Sequence, residues 1–382
     1  MIIYWLLLFI AACFALRFSR TAKGDFIALE MRYLFDALIF VLILILGFRF
    51  EVGGDWNTYL YWNNRLYGKS LAYVFEEGNE IGFELLNWLG ANFIGGLFLP
   101  QLVCGMLLLI GLRKFCFTLP NPFLGLTIAM PYLIWVVGQG YTRQAAALGF
   151  FLFGLSYVSV KKTLSYTLCS GMGLLFHKTA VLFIPFAMFI NDRLFSRTFL
   201  ISFIVISITS LLAYITTLSS GDVIAMFDAY LGDSNISSAG ALIRCSLTAT
   251  TGTIFLYNRK RFVINSEERV FWSVFSLVGI MIFALIFISP SSTVIDRINV
   301  YWLPLQIFVL TSFPTIFESK YSNSRQSVTL VIILLCALIQ WIWMFYSGNA
   351  AKWLPYRFYI WEWIWNSVDW FWPANYGFEK GK

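Results

Sequence analysis

Tyr33-Leu34-Phe35-Asp36-Ala37-Leu38-Ile39-Phe40-Val41-Leu42-Ile43-Leu44-Ile45-Leu46-Gly47-Phe48, running straight into Arg49-Phe50-Glu51-Val52-Gly53-Gly54-Asp55-Trp56, is the stretch that decides the fold. The first part is an apolar run of membrane-helix character. The second puts an arginine, two carboxylates and two glycines into seven residues. It opens the longest polar-and-aromatic insert, residues 49–96, before the next apolar run. An apolar helix ending in such a loop predicts a membrane scaffold whose chemistry sits on one face.

Composition extends this to the whole chain. Of its 382 residues 59% are hydrophobic and 12% charged, with mean hydropathy +0.74. A soluble domain carries about 25% charge. The expected class is therefore an all-α polytopic membrane protein with about 12 transmembrane helices. Residues 1–346 form one transmembrane domain, including the insert 49–96 with its periplasmic or re-entrant helices. Residues 347–382 form an aromatic-rich external tail. The net charge of +7 comes from basic residues between apolar runs, where they anchor cytoplasmic loops, so no nucleic-acid partner is expected. The six cysteines lie in or beside apolar stretches without metal-ligand spacing and read as small buried hydrophobes. Ile10-Ala11-Ala12-Cys13 resembles a cleavage box, but its basic residues, Arg17, Arg20 and Lys23, follow it instead of preceding it. The first run, Ile2 to Leu16, is expected to stay as a membrane helix.

Loop charges set the orientation. With the N-terminus outside, the insert 49–96 is external and sixteen of the 27 basic residues fall inside, against seven of the 20 carboxylates. That bias agrees with the positive-inside rule. Further runs are expected near 97–112, 122–138, 144–160, 199–217, 241–257, 270–288, 298–317 and 328–346. The segment 163–190 is too long for one span and too short for two. A hairpin of two short helices fits it, with His177-Lys178 at the external tip.

A second set of basic residues is not explained by topology. Arg49, Arg143, Lys178 and Arg297 each stand at the external end of an apolar run, where positive-inside disfavours them. Arg143 follows Gly138-Gln139-Gly140-Tyr141-Thr142, a glycine-flanked turn into a helix, and arginine's planar fork suits phosphate oxygens. Each residue alone also fits an interfacial anchor or an ion pair. On the same side stand Glu51, Asp55, Glu80, Glu84 and Asp296. Glu80 and Glu84, four apart, share a helix face and suit a base with its orienter, or equally a solvated face. His177 is the only histidine, so any His-dependent chemistry hangs on it. No CxxC, HExxH, Walker-type or GxGxxG fingerprint is present, and neither metal nor cofactor is expected. The tail tryptophans Trp353, Trp361, Trp363, Trp365, Trp370 and Trp372 suit an interfacial helix or a stacking surface for sugar rings.

In their order and spacing, Arg49…Gly53-Gly54-Asp55…Tyr59, Glu80-Ile81-Gly82-Phe83…Asn87, Arg143-Gln144, Phe176-His177-Lys178-Thr179-Ala180, Asp296-Arg297…Tyr301 and Leu354-Pro355-Tyr356 resemble the EpsG-like branch of the Wzy-type polysaccharide polymerases. The likeness covers most of residues 1–357. One departure is Gly53-Gly54-Asp55, where the family commonly has Gly-Thr-Asp. The resemblance implies a GT-C-like fold in a bacterial inner membrane and a metal-independent glycosyltransferase acting on the periplasmic face. Such an enzyme moves a growing O-antigen, capsule or exopolysaccharide chain from polyprenyl pyrophosphate to a sugar hydroxyl of the next lipid-linked repeat unit. Its partners are the polyprenyl-pyrophosphate-linked oligosaccharide and membrane lipid, with a chain-length regulator and a flippase as candidate protein partners.

On that reading Arg143, Arg297 and Lys178 hold the donor pyrophosphate, with Arg49 as a further contact. Asp55 is the first choice for general base or acceptor orientation and Glu80 the second, and His177 positions phosphate or acceptor. Glu51, Glu84, Asp296 and Tyr301 orient substrate. A lipid-linked oligosaccharide flippase and a periplasmic O-acyltransferase are the competing functions. The first wants polar residues deep in many helices, and the second wants a histidine with a carboxylate or a second histidine.

Overall fold

In a bilayer each backbone N–H and C=O must be satisfied within the protein, and a continuous apolar run of about 20 residues does so within itself as a helix. The computed structural model describes residues 1–19, 25–77, 80–93, 95–190, 240–289, 291–316 and 324–366. The expected span 199–217, the polar loop after it, and Trp370 and Trp372 lie outside the described residues. Among the described residues the regular secondary structure is helical, apart from one isolated bridge between Arg49 and Phe358.

In chain order the helices are α1 (Ile2–Ser19), α2 (Asp25–Gly47), α3 (Trp56–Arg65), α4 (Leu71–Glu77), α5 (Ile81–Asn92), α6 (Phe98–Cys116), α7 (Pro122–Gly140) and α8 (Thr142–Leu155). Then follow α9 (Thr163–Leu174), a 3-10 segment (Lys178–Phe189), α10 (Ala241–Asn258), α11 (Ser266–Leu285), α12 (Ser292–Asn299), α13 (Leu303–Ile316), α14 (Ser324–Tyr346) and α15 (Tyr359–Asn366). Five of them, α1, α6, α7, α11 and α14, are long and apolar enough to cross a membrane. Among the described residues the protein is all-helical, with apolar helices of membrane-spanning length.

Two ambiguous segments resolve. Residues 81–92 make a helix of 12 residues, about 18 Å long, well short of the roughly 30 Å hydrocarbon core. Residues 163–190 form two short helical segments that turn at His177-Lys178. The run expected over 144–160 ends sooner, at Leu155, because the Ser156 hydroxyl bonds back to the Phe153 carbonyl at 2.7 Å and Lys161 takes a left-handed backbone, φ 56°. The run expected over 298–317 begins as the separate α12, and Pro304, which lacks an N–H, sits where it does no harm, in the first turn of α13.

The chain divides into two compact units. The first comprises the described parts of Met1–Ser156, Leu168–Val181 and Thr311–Lys382. Its centre is the pair α6 and α8, which meet backbone to backbone at two glycines. A Cβ on Gly149 would lie 2.4 Å from the Leu107 carbonyl oxygen, and one on Gly111 1.9 Å from that of Gly149. Close approach at small residues is how helices associate where lipid removes the hydrophobic drive. Gly149→Ala should therefore overpack this contact by about 1–3 kcal/mol. A lowered thermal midpoint of the detergent-purified protein checks it, with Gly171→Ala, where a Cβ meets nothing within 4 Å, as the control that is not lowered. Elsewhere in this unit Asn121 Nδ2 donates to the Ala15 carbonyl at 2.9 Å, and Trp135 Nε1 to Gln340 Oε1 at 3.1 Å. Arg113 grips Asp36 with both ends of its fork, at 2.5 and 2.8 Å. Cys104, Cys116 and Cys336 are buried as expected, whereas Cys13 is exposed on α1.

The second unit comprises the described parts of Tyr157–Thr167 and Leu182–Leu310. Its α10 and α11 form a hairpin. The start of α11 is fixed by a capping box, with Asn265 Oδ1 accepting from the Glu268 N–H at 2.8 Å and Glu268 returning the bond at 3.1 Å. Its core is aromatic: Trp272 stacks on Phe308 at 4.1 Å, and Trp302 stacks on Phe275 while donating Nε1–H to that residue's carbonyl at 2.8 Å.

Candidate active site

The loop 49–55 is built from inside. Arg49 is buried, its Nε donating to the Val52 carbonyl at 3.2 Å, its Nη1 to the Leu46 carbonyl and its Nη2 to Thr142 Oγ1 at 2.8 Å. The arginine thus ties the loop to the residue before Arg143. Gly53, at φ 110°, lies so close to α7 that a Cβ would stand 2.2 Å from the Gln139 carbonyl oxygen. From outside, residues 352–359 strap the loop. Phe50 N–H donates to the Arg357 carbonyl at 3.0 Å, Gly53 N–H to that of Lys352 at 2.8 Å, and Tyr359 N–H to that of Phe48 at 2.8 Å. Glu51 pairs with Arg357, which also grips Glu362 at 3.0 Å. Asp55 stands before the first turn of α3, where the helix dipole favours an anion.

Glu80 is where several candidates meet. It is buried, at the residue before α5. One carboxylate oxygen accepts from Arg143 Nη1 at 2.6 Å. The other faces His177 Nδ1 at 2.7 Å and accepts from the Lys178 N–H at 3.2 Å. Local folding explains the meeting. Gly82 N–H donates to the Leu175 carbonyl at 2.8 Å, which ties the start of α5 to the turn after α9. The π-helical stretch Met130–Val137 inside α7 carries the chain to a break at Tyr141, from which α8 restarts with Arg143 in its first turn. Asn63 Nδ2 donates to the Asn87 carbonyl at 3.0 Å and so joins α3 to α5.

The electrostatics separate the two carboxylates of α5. Burial pushes the Glu80 carboxyl up, but the His177 hydrogen bond and the Arg143 charge outweigh it and hold Glu80 below the usual carboxylate range. Glu84 is pushed up by burial, only partly opposed by Arg65 and Arg143. So the expected base-and-orienter pair has one member held as an anion and one eased towards its acid form. Lys178 is exposed, beside the cluster.

A family description, EpsG family, matches residues 32–358. The chain belongs to the EpsG family. The match spans all the candidate residues above, in both units. No curated protein and no solved structure matches the chain.

The other candidates of this EpsG-family chain sit in the second unit. Asp296 is paired bidentately with Arg244 at 2.6 and 2.7 Å. Arg297 is in the last turn of α12. Tyr301 is fully buried against Phe183, with ring centres 4.7 Å apart. Sequence reasoning missed Trp62 and gave Tyr59, quoted only as part of the resemblance, no role. The Arg143 guanidinium lies over the Trp62 ring, 4.4 Å from its centre, and bonds to Tyr59. Their signal was there: aromatic residues three apart on α3 share a face. It also missed Arg244 and Arg357 as partners of the carboxylates it chose.

Proposed function

We propose that this EpsG-family protein is a polysaccharide repeat-unit polymerase of the bacterial inner membrane, acting on the periplasmic face. It transfers a growing glycan from polyprenyl pyrophosphate to a sugar hydroxyl of the next lipid-linked repeat unit. The observation that carries this is the meeting at Glu80 of Arg143, His177 and the Lys178 backbone, in a chain whose family match runs through all of them. A leaving pyrophosphate needs cations where its charge develops, and Arg143 with Lys178 provides two. The Arg143 Nε is buried without an acceptor among the described residues.

Within this proposal Arg49 changes role. With its donors satisfied internally, it holds the loop that carries Asp55 against the start of α8. Arg297 belongs to the second unit, and Arg297→Ala tests that unit's part in the reaction by itself. Membership of the wider Wzy-type and GT-C-like classes is part of the same proposal.

One observation favours a second reading. An O-acyltransferase wants a histidine with a carboxylate, and His177 has Glu80. Glycan analysis of a deletion strain separates the readings. A lost polymerase leaves single repeat units on the cell surface, which is the expected result. A lost flippase leaves none, and a lost acyltransferase leaves chain length unchanged.

A further inference from the structure

Glu80, held as an anion, can only accept hydrogen bonds. His177 Nδ1, 2.7 Å from it, must then carry the ring proton. In the neutral imidazole that leaves the lone pair on Nε2. Nε2 makes no hydrogen bond among the described residues, and it is not one of the enclosed atoms that lack partners. The side chain is 20% exposed. Here is a base with its tautomer fixed and its working nitrogen open.

We propose that His177 Nε2 is the proton acceptor of the transfer, with Glu80 as the residue that positions it. This inference rests on the polymerase reading. The acceptor hydroxyl oxygen forms a bond to the anomeric carbon of the donor glycan. The bond from that carbon to the pyrophosphate oxygen breaks, and its electron pair leaves with polyprenyl pyrophosphate. The hydroxyl proton goes to Nε2, and the imidazolium so formed passes it to the departing pyrophosphate or to water. Nothing else is consumed. Glu80 stabilises the transient imidazolium, as a carboxylate behind a histidine does in acyl-transfer triads. The charged and titratable groups around His177 are Glu80 and Glu84 of the α5 region, Arg143 of α8, Lys178 of its own segment, and Tyr59 of α3 acting through Arg143. The assignment displaces Asp55 as the first choice for base.

The test uses the full chain in phospholipid vesicles, with the lipid-pyrophosphate oligosaccharide that accumulates in cells lacking this protein. Single-turnover rates are followed as a function of pH. The wild type should slow on the acid side as the imidazole takes a proton. His177→Gln should lose about 10²–10⁴-fold in rate and lose that acid limb. Competition by inorganic pyrophosphate should stay unchanged, and added imidazole should restore rate to His177→Ala. An acid limb that survives in His177→Gln, or that vanishes instead in Asp55→Asn, overturns the assignment and leaves the polymerase reading standing. Should the glutamine variant not fold, a flat wild-type profile overturns it equally. A folded wild type that makes no polymer from this substrate overturns the polymerase reading itself.

Discussion

Arg143→Ala should abolish long-chain glycan while the protein still reaches the membrane. The side chain does three things at once: it pairs with Glu80 at 2.6 Å, lies over Trp62 at 4.4 Å, and bonds to Tyr59. Removing a donor aimed at developing charge costs about 10²–10³-fold in rate. Arg143→Lys is the sharper experiment. Lysine keeps the charge but not the planar fork or the face that rests on an indole ring. It should recover only a small part of the activity. Glycan chain length in cells and single-turnover rate in vesicles both read the effect, and polymer of wild-type length from the alanine variant would remove Arg143 from the mechanism.

Glu80→Ala should be the most damaging single change to stability in this region. It leaves Arg143 without its buried counter-charge and releases His177 and the Lys178 N–H together. Breaking a fully buried pair costs about 3–5 kcal/mol. Arg143 is 28% and His177 20% exposed, so water recovers part of that and about 2–3 kcal/mol is the expected loss. Glu80→Gln should cost less, because the amide oxygen can still accept from Nδ1. The two also differ in pH dependence. Folding lowers the Glu80 pKa, so its contribution is present above the unfolded value of about 4.3 and fades as pH falls through the folded one. The wild-type thermal midpoint should drop more steeply than that of Glu80→Gln on acidification. Parallel curves for the two proteins would mean that Glu80 carries no linked stabilisation.

How much of this was legible beforehand depends on what each residue's fate rests on. Span positions such as Ile2–Ser19 and Ser324–Tyr346 follow from unbroken apolar runs, because lipid leaves the backbone one option. The division of residues 163–190 into two short helical segments follows from the length of that stretch and the polar His177-Lys178 near its middle. Pairing does not. Arg49 and Arg143 look alike in sequence, each a lone arginine at the end of an apolar run. One is sealed among backbone carbonyls and the other rests on an aromatic face beside a glutamate 63 residues earlier in the chain. Asp296 looked available for substrate, but a residue 52 positions earlier, Arg244, holds it. Such outcomes depend on which helix ends meet, and hydrophobic periodicity carries no record of that. The glycine at position 54 is a case between the two. Its departure from Gly-Thr-Asp is visible in sequence. What stands there instead is not: the Trp353 ring lies 3.3 Å from where its Cβ would be.

The strap over residues 49–55 also sets the order in which the protein can be finished. Glu51 and Arg357 are 306 positions apart, and Tyr4 donates to the carbonyl of Trp353 across 349. At about 5–20 residues per second of synthesis, the loop waits roughly 15–60 seconds for the chain that will clamp it. Through that interval the segment bearing Asp55 has made its bonds to α2 but lacks its outer cover. A nascent chain stalled just before residue 352 would thus hold a nearly complete helical scaffold with an unfinished loop, so closure of the loop 49–55 is among the last events of biogenesis.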